Sequence, residues 1–169
     1  MSKKVICGID PGLSGGIAFS SGHAFKTPII KEKKIITKKK IKEKKYLDIP
    51  KIVEILKEYN PSLVVIETVH SGRDQGVVSM FTFGRGFGTF EGICGALSIR
   101  LEKVDPKVWK EKILPNTLKD KQAAIDYCHL NFPLINLQPG RTTTDQDGMA
   151  DALCIMQYGI EVFNNNIKQ

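Results

Sequence analysis

Four acidic residues stand where the sequence leaves apolar surroundings: Asp10, Glu67, Asp147 and Asp151. Asp10 ends the run Val-Ile-Cys-Gly-Ile at 5–9 and Glu67 ends Leu-Val-Val-Ile at 63–66, so each carboxylate lies at the edge of a hydrophobic core. A charge there is costly without a cation or donors beside it. Asp147 and Asp151 are four residues apart, which puts them on one side of a helix. Each acid also has an ordinary structural reading. Asp10 before Pro11-Gly12 suits a turn in which its carboxylate accepts from the amide of Gly12 or Leu13. Asp147 suits a helix N-cap, and both helix acids suit the dipole at that end. If the four converge, their repulsion calls for divalent cations, and an oxygen-only donor set favours Mg²⁺, with Mn²⁺ as a substitute. Two such ions per site, roughly 4 Å apart, activate water and stabilise the departing 3′ oxygen in phosphodiester hydrolysis.

Convergence depends on the elements that carry these residues. The run at 5–9 is too short for a helix and reads as a buried strand; Ile17–Phe19 begins a second strand, and Ala24–Ile30 completes a hairpin around Ser20-Ser21-Gly22-His23. Asp48 and Pro50 start a helix with Ile52, Ile55, Leu56 and Tyr59 on its apolar face, and Asn60-Pro61 ends it. A helix between two buried strands predicts a parallel crossover, which brings the carboxyl ends of both strands to one sheet edge. Asp10 and Glu67 meet there, at the edge where open α/β sheets bind ligands.

The polar loop 68–76, with His70 and Arg73, follows Glu67 and reads as substrate-facing. Val77–Leu101 predicts a long helix, open to interruption at Gly84–Gly88, where glycines permit close backbone approach. Its phenylalanines read chiefly as core or dimer packing, with exposed members free to stack on bases. Val104 marks a short strand, and Pro106 starts a helix with Trp109 as a core anchor and Lys107 and Lys110 reaching solvent or phosphate. Thr117–Asp120 has the form of a cap for a helix over 122–128, with Lys121 near its start. Residues 132–145 read as irregular. The last helix begins at Asp147, with Met149, Leu153, Met156 and Ile160 along its apolar side.

A length of 169 residues, 41% hydrophobic and 25% charged, predicts a single domain, 1–169, with a real core. The net charge is +7, and residues 31–45 hold nine lysines against two glutamates, so this run carries +7 and the rest of the chain is neutral. It reads as an insertion or extended hairpin, serving either as a solubilising flank or as a phosphate-backbone contact. The four cysteines, dispersed and in apolar surroundings, read as reduced core residues of an intracellular protein. No apolar stretch reaches membrane-spanning length and no signal-like segment is seen, so the expectation is a cytoplasmic protein, in the host cell if virally encoded, with no membrane partner.

Three segments in order carry a family resemblance. Gly8-Ile-Asp10-Pro-Gly12 with Gly16, Val64-Val-Ile-Glu67, and Asp147-Gly-Met-Ala-Asp151-Ala-Leu resemble the motifs of the RuvC-type Holliday-junction resolvases of the ribonuclease-H-like superfamily. The resemblance spans nearly the whole chain. It implies an α/β ribonuclease-H-like fold, a mixed five-stranded sheet flanked by helices, with the four acids as catalytic metal ligands. It also implies a homodimer that places paired nicks in a four-way DNA junction, leaving 5′-phosphate and 3′-hydroxyl ends. On this comparison Lys107, Lys110 and Lys121 face DNA, and Phe81 or Phe83 is a wedge; Arg73 and Arg85 are further candidate DNA contacts. The four-residue spacing of the final acids resembles phage or viral members, whereas bacterial members use three. The lysine-rich run departs from the compact bacterial pattern and broadens the expected substrates toward forks and flaps. Asp145 is held as a reserve acid. Two other readings compete: a nuclease of RNA/DNA hybrid or less selective branched DNA, and a non-catalytic junction-binding protein. An ATPase fragment of the actin or sugar-kinase type also opens with an acidic glycine turn, but the chain is short for one.

Overall fold

A computed structural model describes residues 4–37, 40–68, 76–115, 121–140 and 143–163. The apolar runs that end in Asp10 and Glu67 are strands β1 (Ile6–Asp10) and β6 (Leu63–Glu67). They pair in parallel, Ile6 opposite Leu63 through Ile9 opposite Ile66, so their acidic ends share one edge as the crossover predicts. On one side of this pair, β2 (Gly16–Phe19) and β3 (His23–Lys26) add in antiparallel fashion; on the other, β7 (Arg100–Val104) lies parallel to β6. The order β3-β2-β1-β6-β7 is a mixed five-stranded sheet flanked by helices, the architecture expected of the ribonuclease-H-like fold.

Strand alternation divides the core in two. Ile6, Leu63 and Val65 face one cluster, while Cys7, Ile9, Val64 and Ile66 face the other. Both faces are covered, which is why β1 and β6 read as continuous apolar runs rather than alternating ones. Helix α1 (Ile49–Tyr59) covers the second face with Ile52, Ile55 and Leu56. It starts as predicted, with the Asp48 carboxylate accepting from the Lys51 amide at 3.1 Å, and ends at Asn60 in the left-handed region with φ 41°.

Two expectations change. The strand predicted over Ala24–Ile30 stops at Lys26, because Thr27-Pro28 interrupts the ladder and Pro28 has no amide to donate. The chain then leaves the sheet as a separate antiparallel ribbon, β4 (Ile29–Thr37) with β5 (Lys40–Leu47), which contains the described part of the lysine-rich run. The helix predicted over Val77–Leu101 is α2 (Val77–Ala96), uninterrupted at Gly84–Gly88 and ending before β7. Ser98 closes it at φ 55°, and the Ile99 amide bonds back to the Cys94 carbonyl at 2.9 Å. The close approach expected of its glycines occurs at Gly86, 3.0 Å from the Pro11 carbonyl by the position of an added Cβ; Gly84, Gly88 and Gly92 face open space.

The first face of the sheet is covered by α3 (Pro106–Ile113), α4 (Lys121–Asn131) and α5 (Asp147–Phe163). Asp105 caps α3 by accepting from the Lys107 amide at 2.8 Å. Helix α5 lies directly on β1 and β2 because glycine occupies the contact points. A Cβ on Gly8 would enter the backbone of Ala152 and Met156, and one on Gly148 would enter Ser14 and Gly15. This contact sets the first turns of α5 beside the end of β1. Among the described residues, no helix is long and apolar enough to cross a membrane.

Candidate active site

Asp10, Asp147 and Asp151 line one cleft of about 470 Å³, together with the turn Pro11–Gly15, the α2 residues Val78, Ser79, Thr82, Phe83 and Gly86, and Lys121. The last residue of a strand and the first two turns of a helix supply the three acids. The turn reading of Asp10 is borne out, since its Oδ1 accepts from the Gly12 amide at 3.2 Å, and the residue also lines the cleft. Burial pushes its proton affinity above the usual carboxylate range; the Gly12 hydrogen bond opposes this, and the Asp147 charge adds to it.

Asp151 is the most perturbed of the four. Burial, followed by the charge of Asp10, pushes it up to about 7, with Glu67 and Asp147 adding further repulsion and Lys110 opposing it. Its depth comes from its neighbours, since Ala150 and Ala152–Met156 are all buried. Dipole compensation alone leaves this burial unexplained. Asp147, at the first residue of α5, behaves in the opposite way. The Lys121 ammonium hydrogen-bonds its Oδ2 and holds the carboxyl below the usual range.

Glu67 stands beside the cleft lining rather than in it. Burial raises its proton affinity, a hydrogen bond from Trp109 lowers it, and the Asp10 charge raises it. Trp109 is fully buried, as its reading as a core anchor requires, but its indole Nε1 also donates to Glu67 Oε2 at 2.6 Å. That second role was not legible, because 42 residues separate the two and no local spacing connects them. Lys110 continues the cluster, with its ammonium 5.2 Å from the Trp109 ring centroid and its charge lowering Asp10, Glu67 and Asp151 alike.

The donor set is hard and oxygen-only, and three of its carboxyls carry more mutual repulsion and burial than the nearby lysines cancel, which fits a divalent cation. They nevertheless do not close into a cage. Among the described residues, no group of three or more His, Cys, Asp or Glu is arranged to hold a metal ion.

The other predicted residues distribute as follows. Lys107 is exposed at the start of α3, and Lys121 is exposed at the start of α4, engaged with Asp147. Phe83 reaches the cleft, whereas Phe81, 70% exposed, does not line it. Arg85 is exposed on α2 with its guanidinium 5.4 Å over the Tyr46 ring. Arg73, His70 and the Thr117–Asp120 cap lie outside the described residues. The reserve acid Asp145 is otherwise employed: it binds His129 Nε2 at 2.6 Å and accepts from Gln138 Nε2 at 2.9 Å, joining α4 to the loop before α5.

No protein-family profile matches the sequence, and no curated protein matches it. Solved structures do. RuvC of T. thermophilus in complex with a Holliday junction substrate is 13% identical, with a TM-score of 0.58 over 98% of this chain and 97% of that one. A second Thermus thermophilus RuvC structure is also 13% identical, with a TM-score of 0.57 over 93% and 95%. The resolvase of Fowlpox virus is 16% identical with a TM-score of 0.45 over 98% and 99%. The phage or viral likeness suggested by the spacing of the last two acids is not shown: of these structures, the two with TM-scores above 0.5 are of the bacterial protein. Strand order, acidic strand ends and structural likeness agree that the chain has the ribonuclease-H-like fold of the RuvC-type resolvases.

Proposed function

We propose that the protein is a divalent-metal-dependent endodeoxyribonuclease that cuts branched DNA, with the four-way junction as its preferred substrate. The observation that carries this reading is the meeting, at one sheet edge, of carboxylates from β1, β6 and α5, of which Asp10, Glu67 and Asp151 are held above the usual range by burial and by one another. Asp10, Glu67, Asp147 and Asp151 would hold Mg²⁺ or Mn²⁺. Bound there, the ions supply the charge that activates water and stabilises the departing 3′ oxygen. The chain's own groups prepare the site. The Trp109 indole orients Glu67, Lys110 offsets the carboxylates, and Lys121 holds Asp147.

A homodimer presenting two such clefts accounts for the exposed apolar residues Val77, Val78, Phe81 and Phe83 at the start of α2, next to the cleft. The test is cleavage of a four-way junction, a fork, a linear duplex and an RNA/DNA hybrid, each with Mg²⁺, with Mn²⁺ and with EDTA. Metal-dependent paired nicks in the junction are expected. Asp10→Asn, Glu67→Gln and Asp151→Asn should bind the junction normally yet lose at least about 100-fold in cleavage rate. Equal cutting of all four substrates would remove the junction preference, and binding without any cutting would make the protein a junction binder with structural acids.

A further inference from the structure

The β4–β5 ribbon holds seven of the nine lysines of the run at 31–45 against its two glutamates, a net charge of +5 on strands separate from the main sheet, and the proposed site makes no use of it. Nine residues of β4 span roughly 30 Å, close to one helical turn of duplex DNA. An antiparallel two-stranded ribbon is also one of the elements narrow enough for the major groove. Its register sets Lys31 directly opposite Lys45, a like-charge pair, beside Glu32 opposite Lys44 and Lys33 opposite Glu43, so lysines outnumber the glutamates set against them. Lys31 reaches Glu43 at 3.3 Å, but the exposed Lys33, Lys44 and Lys45 form no ion pair among the described residues.

The ribbon is anchored where such an arm is needed. At its root Leu47 packs into the core beside α1 and α2, and the Asp48 amide bonds the Pro28 carbonyl at 2.9 Å. Tyr46 lies under the guanidinium of Arg85 on α2, the helix whose Thr82, Phe83 and Gly86 line the cleft. The contact sets the base of the ribbon beside α2, one wall of the cleft.

We propose that this ribbon is a sequence-independent clamp on the phosphate backbone of a duplex arm, adding affinity from outside the cleft. The inference rests on the nucleic-acid reading of the site but not on catalysis. It is tested without metal: in EDTA, fluorescence anisotropy of labelled junction and linear duplex is measured across a salt series for the wild type and for the triple variant Lys33→Gln, Lys44→Gln, Lys45→Gln. The variant should bind both DNAs roughly tenfold or more weakly near 0.1 M salt, with the slope of log K against log salt shallower by about 2 to 3. A matched variant at Lys51, Lys57 and Lys112, with the same charge change, should keep at least half of that slope difference from appearing. Unchanged affinity and slope in the ribbon variant, or equal losses in the two variants, overturns the clamp. Loss of binding to phosphatidylserine vesicles with DNA binding intact overturns it too, by making the ribbon a membrane-surface element. All substitutions are at exposed positions, and coincident melting curves will verify folding. Wild type that cuts no DNA, alongside a ribbon variant with the expected shallow slope, would defeat the nuclease reading and leave the clamp standing.

Discussion

Asp151 shows how a single side chain connects the fold to the chemistry. A carboxyl raised from its ordinary value to about 7 binds more protons in the native state than in the unfolded chain over that interval. Stability of the metal-free protein therefore falls as pH rises from about 4 through 7, and the penalty is fully present above that. Asp151→Asn should stabilise the metal-free protein at pH 8 by on the order of 2 kcal/mol and have little effect near pH 4, as read from denaturant midpoints. Equal midpoints for wild type and variant at pH 8 would mean that the carboxylate is not under strain. Trp109 acts on Glu67 in the opposite sense, since its hydrogen bond favours the ionised form. Trp109→Phe removes that donor, so the acid limb of the cleavage pH profile should move to higher pH, with a stability loss of about 1–3 kcal/mol. An unmoved acid limb would assign Trp109 to packing alone.

Among the elements, α5 has the least freedom. Its contact with β1 and β2 is backbone to backbone at Gly8, Gly16 and Gly148, and that closeness brings Asp147 and Asp151 to the same cleft as Asp10. Gly8→Ala should cost more than about 3 kcal/mol, because its Cβ meets main chain rather than a side chain able to swing aside. A loss below about 1 kcal/mol in urea unfolding would show that α5 has slack. Helix α2 is different in kind. Gly84, Gly88 and Gly92 repeat every four residues along one side, where an added Cβ meets nothing, next to the exposed Phe81. Within one chain this pattern lowers helix propensity with no packing in return.

For the whole molecule, that open side is where a second copy would pack if the protein dimerises as proposed. Gly88→Leu raises helix propensity, so a monomer should gain up to about 1 kcal/mol in stability. A dimer joined through this face should instead dissociate. Sedimentation velocity at micromolar concentration is expected to show a wild-type dimer and a Gly88→Leu monomer that places single rather than paired nicks. A dimeric variant would move the interface elsewhere, and a monomeric wild type would remove the dimer from the proposal. Charge is divided at this scale as well: the part of the chain that holds the acids is neutral overall, and the run at 31–45 carries the net excess of lysine. Keeping them apart prevents the lysines from neutralising the carboxylates, a role left to Lys110 and Lys121.

The local pattern of the chain was enough for β1, β6 and α1, because buried strands are apolar on both faces and Asp48, Pro50 and Asn60 leave capping signals that act within a few residues. It also singled out Asp10, Glu67, Asp147 and Asp151, since a charge at the end of an apolar run is conspicuous wherever the run folds. The break at Thr27-Pro28 and the end of α2 before residue 100 were misjudged, as apolar runs and glycines permit more than one local structure. Only the tertiary structure decided how the acids differ. Lys121 holds Asp147 low, Trp109 bonds Glu67 and burial lifts Asp151, through partners 26 and 42 residues away in the first two cases. Burial and long-range contact have no signature in local spacing: they arise when Gly8 and Gly148 let α5 settle on the sheet, and the site is completed by that approach.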